Sequence, residues 1–222
     1  MKLQSLSDAI PRDHFRNLFE VVEETVTADD RDSFYEADAV GASTVNLFMW
    51  DEAVHRGLVK NGEEMKKFHP HDPKRAYRLT KSRINREPIK EVFCAEFFNE
   101  HSDQDFFGQR ARFPFAQIDL VRCYPDDIHI SDVTLLDLTK PVQDRGAIAP
   151  RSHRGLHVFH LLLDGLVEVA KANNVKRISL VAASRSAHDV FSRYGFQPTE
   201  TDVSQFAFHN FGHSHAMALN IT

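Results

Sequence analysis

The chain has 222 residues, 32 acidic against 27 basic side chains for a formal charge of −5, 42% hydrophobic residues and two cysteines. That length buries a sizeable core without metal or disulfide staples, and the composition excludes a disordered or fibrous chain. No apolar run approaches the ~20 residues that span a bilayer. Residues 1–15 lack the apolar core of a secretion signal, and Cys94 and Cys123 lack paired spacing, so a cytoplasmic protein with reduced thiols is expected.

Charge is distributed unevenly. From Lys60 to Lys90 ten Lys and Arg stand against four Asp and Glu, and from Arg145 to Pro198 eight stand against three, whereas Glu23 to Glu36 is acidic. Basic segments in an acidic protein point to anionic ligands or to a solvated surface. The segment Lys60–Lys90 holds only Phe68 and Tyr77 for base stacking, so nucleic acid is not expected as a partner.

In chain order, residues 7–28 read as a helix, with Ser7 as N-cap and Phe15, Leu18, Phe19 and Val22 at helical spacing. A second helix is expected over about 43–58, with Val45, Phe48, Met49 and Val54 on one side. Residues 61–88, with Pro70, Pro73 and Pro88, are expected to be irregular or partly helical. From Ile89 the character changes. The run 89–98, rich in β-branched and aromatic types, reads as a strand. After a polar turn at 100–105, residues 106–123 read as one long or two short strands interrupted near Pro114, and 128–138 as another. Helix at 156–172, strand at 178–183, helix at 186–194 and strand-like segments at 203–208 and 214–221 follow. Strands in succession, then strand–helix–strand alternation, predict a mixed α/β sheet. The expected organisation is an N-terminal helical and irregular extension over 1–88, packed on an α/β core over 89–222.

Residues 150–196 carry the most information. Arg154-Gly155 opens a segment in which Phe159, Leu162, Leu163, Leu166 and Ala170 form an apolar helical stripe. Asn174 stands where a helix end favours left-handed geometry, and ISLVAA follows as a short buried-type strand. A basic, glycine-containing turn at a helix N-terminus offers free N–H groups and the positive end of the helix dipole to a phosphate.

This run resembles the acyl-CoA-binding core of the GNAT superfamily of N-acyltransferases. The family pattern is Q/R-x-x-G-x-G/A, a Leu-rich helix, a strand, then a helix and turn of the form A-x-x-x-Y-x-x-x-G-F. Arg154 takes the first position, and Leu162-Leu163, Ala170, Ala187 and Gly195-Phe196 fall where the family has them. The resemblance covers about 47 residues. His157 and Phe159 replace the two later glycines, Phe191 stands at the tyrosine that serves as general acid, and Ser184 at an asparagine near the strand end.

The resemblance implies a GNAT-like, mostly antiparallel sheet flanked by helices, and transfer of an acyl group, acetyl above all, from acetyl-CoA or another acyl-CoA to an amine. It places the co-substrate against Leu138, Arg151, His153, Arg154, Gly155, Leu156, His157, Val158, Phe159 and Ser184. Asp137, in an apolar strand that would raise its pKa, is the candidate base, with Asp132 and Glu96 as alternatives. Tyr194 is the substitute for the missing tyrosine.

The expected partner is a small-molecule or peptide amine, with a homodimer compatible and no membrane partner. Alternatives are a GNAT-like binding module without turnover, or an enzyme using longer acyl chains or an acyl carrier protein. No metal is expected: His153, His157 and His160, and His209, His213 and His215, cluster without an HExxH motif or a cysteine pair.

Overall fold

The computed structural model describes residues 4–15, 19–27, 49, 53, 57–58, 73–106, 109–135, 158–182, 184–199 and 215–222. A 3-10 turn at Leu6–Ala9 and a single helical turn, α1 (Arg12–Phe15), precede strand β1 (Glu20–Thr27). Helix α2 (Pro73–Ile84) leads into β2 (Ile89–Phe98), the small hairpin β3 (Asp103–Phe106) and β4 (Gln109–Arg112), then β5 (Ala116–Cys123) and β6 (Asp127–Leu135). Helix α3 (Val158–Ala172), β7 (Arg177–Ala182), α4 (Arg185–Arg193), β8 (Gln197–Pro198) and β9 (His215–Asn220) complete the order.

Seven strands form one sheet in the order β1-β2-β5-β6-β7-β9-β8. All its neighbours are antiparallel except β6 and β7, which α3 joins as a parallel crossover. This is the GNAT-like, mostly antiparallel sheet expected from the sequence.

One face of the sheet packs Phe93, Ala95, Phe97, Ile118, Leu120, Ile128, Ile130, Ile178 and Leu180 in one cluster with Leu162, Leu166 and Val169 of α3 and with Leu6, Ala9, Ile10 and Phe15. The opposite face carries a smaller cluster of Val26, Met49, Tyr77, Ile89, Val92, Val121, Cys123 and Tyr124. A register shift between Ile89 and Glu91 lets Ile89 join this second cluster, since a bulge resets which face a side chain takes.

Local chemistry sets the element ends. Pro73 occupies the first turn of α2, where its missing N–H costs nothing. Asn85 (φ 52°) and Asn174 (φ 55°) terminate α2 and α3 in left-handed geometry, as expected for Asn174. Met49 and Ala53 are helical and buried inside the expected helix 43–58, whose other residues apart from 57–58 lie outside the described set. The strand-like segment 203–208 also lies outside it.

The expected helix over 7–28 is replaced by the 3-10 turn, α1 and strand β1. Ser5, not Ser7, caps the turn, with the reciprocal Ser5–Asp8 bonds of a capping box. Pro11 interrupts the run, and the β-branched series Val21, Val22, Thr25, Val26, Thr27 pairs along the free edge of β2 from Glu20↔Phe98 to Thr27↔Glu91. The apolar spacing over 15–22 imitated a helix because it straddles α1 and the start of a strand.

The N-terminal turn is seated twice. Buried Glu91 accepts hydrogen bonds from the Leu6 backbone N–H (2.9 Å) and the Ser5 hydroxyl, and it pairs with Arg122 at 3.1 Å. On the helix side, Gly165 of α3 lies so close to the turn that a Cβ there would overlap the Ala9 carbonyl. Gly165→Ala is therefore expected to destabilise the fold by about 1–3 kcal/mol through overpacking, although alanine favours helix by roughly 1 kcal/mol. A thermal melt reads the sign: a lower midpoint is expected, and a higher one would show that the turn gives way freely.

Candidate active site

The candidate site lies where the one parallel pair of strands comes apart. Their pairing covers four residue pairs, Asp127↔Arg177, Ile128↔Ile178, His129↔Ser179 and Ile130↔Leu180. Beyond these, β6 runs on to Leu135 and β7 to Ala182 without pairing with one another. The closed end is fastened by Arg177 Nε donating to Asp127 Oδ2 at 2.6 Å, with Asp127 buried. Two pairs further along, His129 Nδ1 and Ser179 Oγ share a hydrogen bond of 2.9 Å.

At the open end the backbone of β6 is irregular. Leu120 pairs with Ile130 but Asp119 pairs with Asp132, so Ser131 is the extra residue of a β-bulge. Its hydroxyl oxygen is shielded from solvent and has no hydrogen-bond partner among the described residues. Facing backbone groups of strands that have parted must bond to something else, such as a ligand with its own amide and carbonyl groups.

The sheet face bearing His129 is polar around this opening. One row across β1, β2, β5 and β6 reads Glu24, Cys94, Asp119, Asp132, and the next reads Val22, Glu96, Gln117, Thr134. Gln117 Nε2 donates to Asp119 Oδ2 and Thr134 Oγ1 to Asp132 Oδ2, each at 2.9 Å. Asp119 is buried, Glu96 half-buried and Asp132 exposed. Burial, and then its hydrogen bond to Asp119, push the Cys94 thiol far above its ordinary range. Complete burial does the same to Cys123, with Asp127 adding to it. Neither thiol is thus a ready thiolate.

The two helices after the opening meet through aromatic rings. Val158, the first residue of α3, is buried, and Phe159 lies 5.3 Å from Phe191 and 5.0 Å from Tyr194, ring centre to ring centre. Tyr194 is the C-cap of α4 and also approaches His160 at 6.2 Å. Phe191 in turn packs on buried Phe196. Ser184 is the N-cap of α4: its hydroxyl accepts from the Ala187 N–H at 3.2 Å.

Of the residues singled out from sequence, Val158 and Phe159 start α3 while Ser184 and Tyr194 bracket α4. Asp137, Leu138, Arg151, His153, Arg154, Gly155, Leu156 and His157 lie outside the described residues, as do His209 and His213. The alternative bases Asp132 and Glu96 share the polar face beside the opening. Sequence reasoning did not find Ser131 or Asp119. The signal for Ser131 was the phase slip of the alternation at the adjacent polar pair Ser131-Asp132 in IHISDVTLL, whereas Asp119 sits in a strand without a motif. Among the described residues, no group of three or more His, Cys, Asp or Glu side chains could hold a metal ion, and no helix is long and apolar enough to cross a membrane.

No protein-family model and no curated protein matches the sequence. Solved structures that match include a GNAT-family acetyltransferase from Staphylococcus aureus (13% identity over 90% of this chain and 100% of that one, TM-score 0.38). Two others are the IAA acetyltransferase from Bacillus cereus (13%, 90% and 99%, TM-score 0.37) and the PaiA N-acetyltransferase from Thermoplasma acidophilum in complex with coenzyme A (13%, 90% and 99%, TM-score 0.35). Among the described residues, the strand order, the parallel pair β6/β7 and the helices before and after β7 define a mixed, mostly antiparallel α/β sheet.

The closed end of the strand pair makes a pH prediction. Burial, and secondarily the charge of Arg177, push His129 down to about 3 from 6.5. A base whose folded pKa is depressed binds its proton more readily when unfolded, so stability falls as pH drops from about 6.5 towards about 3. Between about pH 7 and about pH 4.5, His129 is expected to remove roughly 2–3 kcal/mol of stability. Urea unfolding of the wild type and His129→Gln at both pH values measures this: the wild type should lose more than the variant, and equal losses would show that the imidazole carries a proton when folded.

Proposed function

We propose that the chain is a divergent GNAT-type N-acyltransferase that transfers an acyl group, acetyl in the simplest case, from acyl-CoA to an amine by direct attack. The observation that carries this reading is the parted parallel pair β6/β7 joined by α3, and the basic segment Arg151–His157, which lies between β6 and α3 in sequence, is consistent with it. Such an opening suits an extended thioester chain whose amides bond along the strand edges, with its phosphates at the start of α3.

In this reading Arg151 and Arg154 neutralise the pyrophosphate, and backbone N–H groups over 155–159 complete the cradle; Arg suits this role because its fork bonds phosphate bidentately. Within residues 1–88 the 4–15 turn and β1 are built into the core and sheet, and the rest of that segment is proposed to contribute to the acceptor side. The acceptor is a small-molecule or peptide amine.

The chemistry is one acyl transfer. The amine nitrogen bonds to the carbonyl carbon, the carbon–sulfur bond breaks with its electron pair on sulfur, and the released thiolate takes up a proton. The proton lost by nitrogen passes to a carboxylate, Asp137 by the sequence argument, with Asp132 and Glu96 on the face that an amine can reach. Tyr194 is the phenol proposed to serve the thiolate. Its packing against Phe159 keeps it at the start of α3 rather than free in solution. The raised thiols of Cys94 and Cys123 favour direct attack over a covalent acyl-enzyme.

Titration calorimetry with acetyl-CoA and CoA, repeated on Arg154→Glu, tests the reading. Saturable binding of both ligands that the charge reversal weakens at least tenfold is expected from loss of a charged phosphate contact. If the unmodified chain binds neither ligand, the acyl-CoA reading fails, and a binding module or a carrier-protein-dependent enzyme takes its place.

A further inference from the structure

We infer that the Ser131 hydroxyl donates a hydrogen bond to the acyl carbonyl oxygen of the thioester. Ser131 would thus be a side-chain member of the group that stabilises that oxygen as it gains negative charge. The inference rests on the acyltransferase reading of the opening.

Three observations converge on this side chain. The first is position: Ser131 immediately follows Ile130, the last β6 residue paired with β7, so it stands at the point where the opening begins. The second is the bulge. With Asp119 opposite Asp132 and Leu120 opposite Ile130, Ser131 has no cross-strand partner in β5. Bulges re-aim one side chain while leaving the flanking ladder intact.

The third observation is the state of its hydroxyl. The oxygen is shielded from solvent and unpartnered among the described residues. The nearby hydroxyl and amide side chains of β5, β6 and β7 do have partners: Ser179 bonds with His129, Thr134 with Asp132 and Gln117 with Asp119. A buried hydroxyl without a partner destabilises the fold, and such a group in a native structure requires an explanation. A ligand oxygen arriving between β6 and β7 supplies one.

The aromatic cluster strengthens the argument by removing competitors. Phe191 has no hydroxyl, and Tyr194 packs edge-on to Phe159 and beside His160 at the helix ends. The Ser184 hydroxyl is committed to capping α4. Among the described residues, Ser131 is the hydroxyl left available at the parted strands.

As the amine nitrogen bonds to the carbonyl carbon, the carbon–oxygen π pair moves onto oxygen, and the serine O–H stabilises it while keeping its proton. The pair then re-forms the carbonyl as the carbon–sulfur bond breaks, and the thiolate leaves with the sulfur pair. The donor acts where charge develops, so it contributes most in the transition state. A smaller part of its effect is already present when the thioester binds.

That ground-state part gives a test that needs no acceptor. Acetyl-CoA carries the carbonyl and CoA does not, so the full chain, Ser131→Ala and Ser131→Thr are each titrated with both. Ser131→Ala is expected to weaken acetyl-CoA about five-fold, as for loss of one neutral hydrogen bond, and to leave CoA affinity unchanged. Ser131→Thr, which keeps the hydroxyl, should restore the preference. Infrared difference spectra of bound, carbonyl-labelled acetyl-CoA should show the thioester band at lower frequency in the wild type than in Ser131→Ala.

Equal weakening of both ligands would make Ser131 a packing residue and overturn the inference. So would unchanged acetyl-CoA binding with an unchanged carbonyl band. If the wild type binds both ligands and either result is found, this inference alone is lost. If the wild type binds neither ligand, the acyltransferase reading falls and takes the inference with it.

Discussion

The ion pair between Asp127 and Arg177 is placed where the sheet needs a fixed point. The two residues are direct partners at the first position of the only parallel pair in the seven-stranded sheet, and their 2.6 Å contact is largely buried. A buried pair of this kind gains little net stability, because desolvation offsets much of the Coulomb attraction. Its value here is in register. Short parallel ladders are less stable per residue than antiparallel ones, and this one has four pairs to hold two strands that diverge beyond it. Lys176 N–H donating to the Asp126 carbonyl (2.8 Å), and the His129–Ser179 bond two pairs inside, extend the fastening in both directions. With one end locked, the sheet can leave the other end open without losing its strand order.

An opening is useful only if the helix that crosses over it is also fixed. Helix α3 connects β6 to β7, and its first turn stands where the basic segment Arg151–His157 ends. The N-terminal turn controls its seat. Leu6, Ala9, Ile10 and Phe15 fill the space between α3 and the sheet, Glu91 holds the turn from the sheet side, and Gly165 lets its backbone approach from the helix side. Residues 4–15 are therefore part of the same core as residues far along the chain, and β1 extends the sheet at its edge. The position of α3 relative to the opening is set by contacts on three sides.

How much of this was legible in the sequence depended on how local its cause is. Strand 89–98 and the succession α3, β7, α4 were readable to within two residues, because the apolar spacing of Leu162, Leu163, Leu166 and Ala170, the left-handed Asn174 and the run ISLVAA are local signals. Strand β1 was not readable, since its partner lies some seventy residues away and the phenylalanines before it imitate helical periodicity. The bulge at Ser131 left a trace that was not read: apolar residues fall at 128 and 130 and then at 133 and 135, so the alternation changes phase across Ser131-Asp132. The basic turn over 151–157 is an expectation from resemblance and dipole arguments that lies outside the described residues, and the site's geometry, two strands parting beyond a four-pair ladder, has no signature in either strand's sequence.

The departures from the family pattern acquire a physical meaning in this frame. Phe191 packs among Phe159 and Phe196; in the resemblance read from the sequence, Phe191 stands at the tyrosine position and Phe159 at a small residue of the phosphate turn. The two substitutions compensate one another: a larger ring at the start of α3 is received by a ring on α4 that no longer needs a polar end. A phenol at 191 would place its hydroxyl in or beside this apolar contact and would require a partner there. The junction of α3 and α4 is thereby tightened by packing, at the expense of a proton donor. In the proposed reaction, hydroxyl assistance at the carbonyl oxygen then falls to the walls of the opening, while Tyr194 remains the phenol proposed for the thiolate. The bulged strand, whose irregularity the packing of the sheet does not otherwise demand, is the wall with an oxygen to offer.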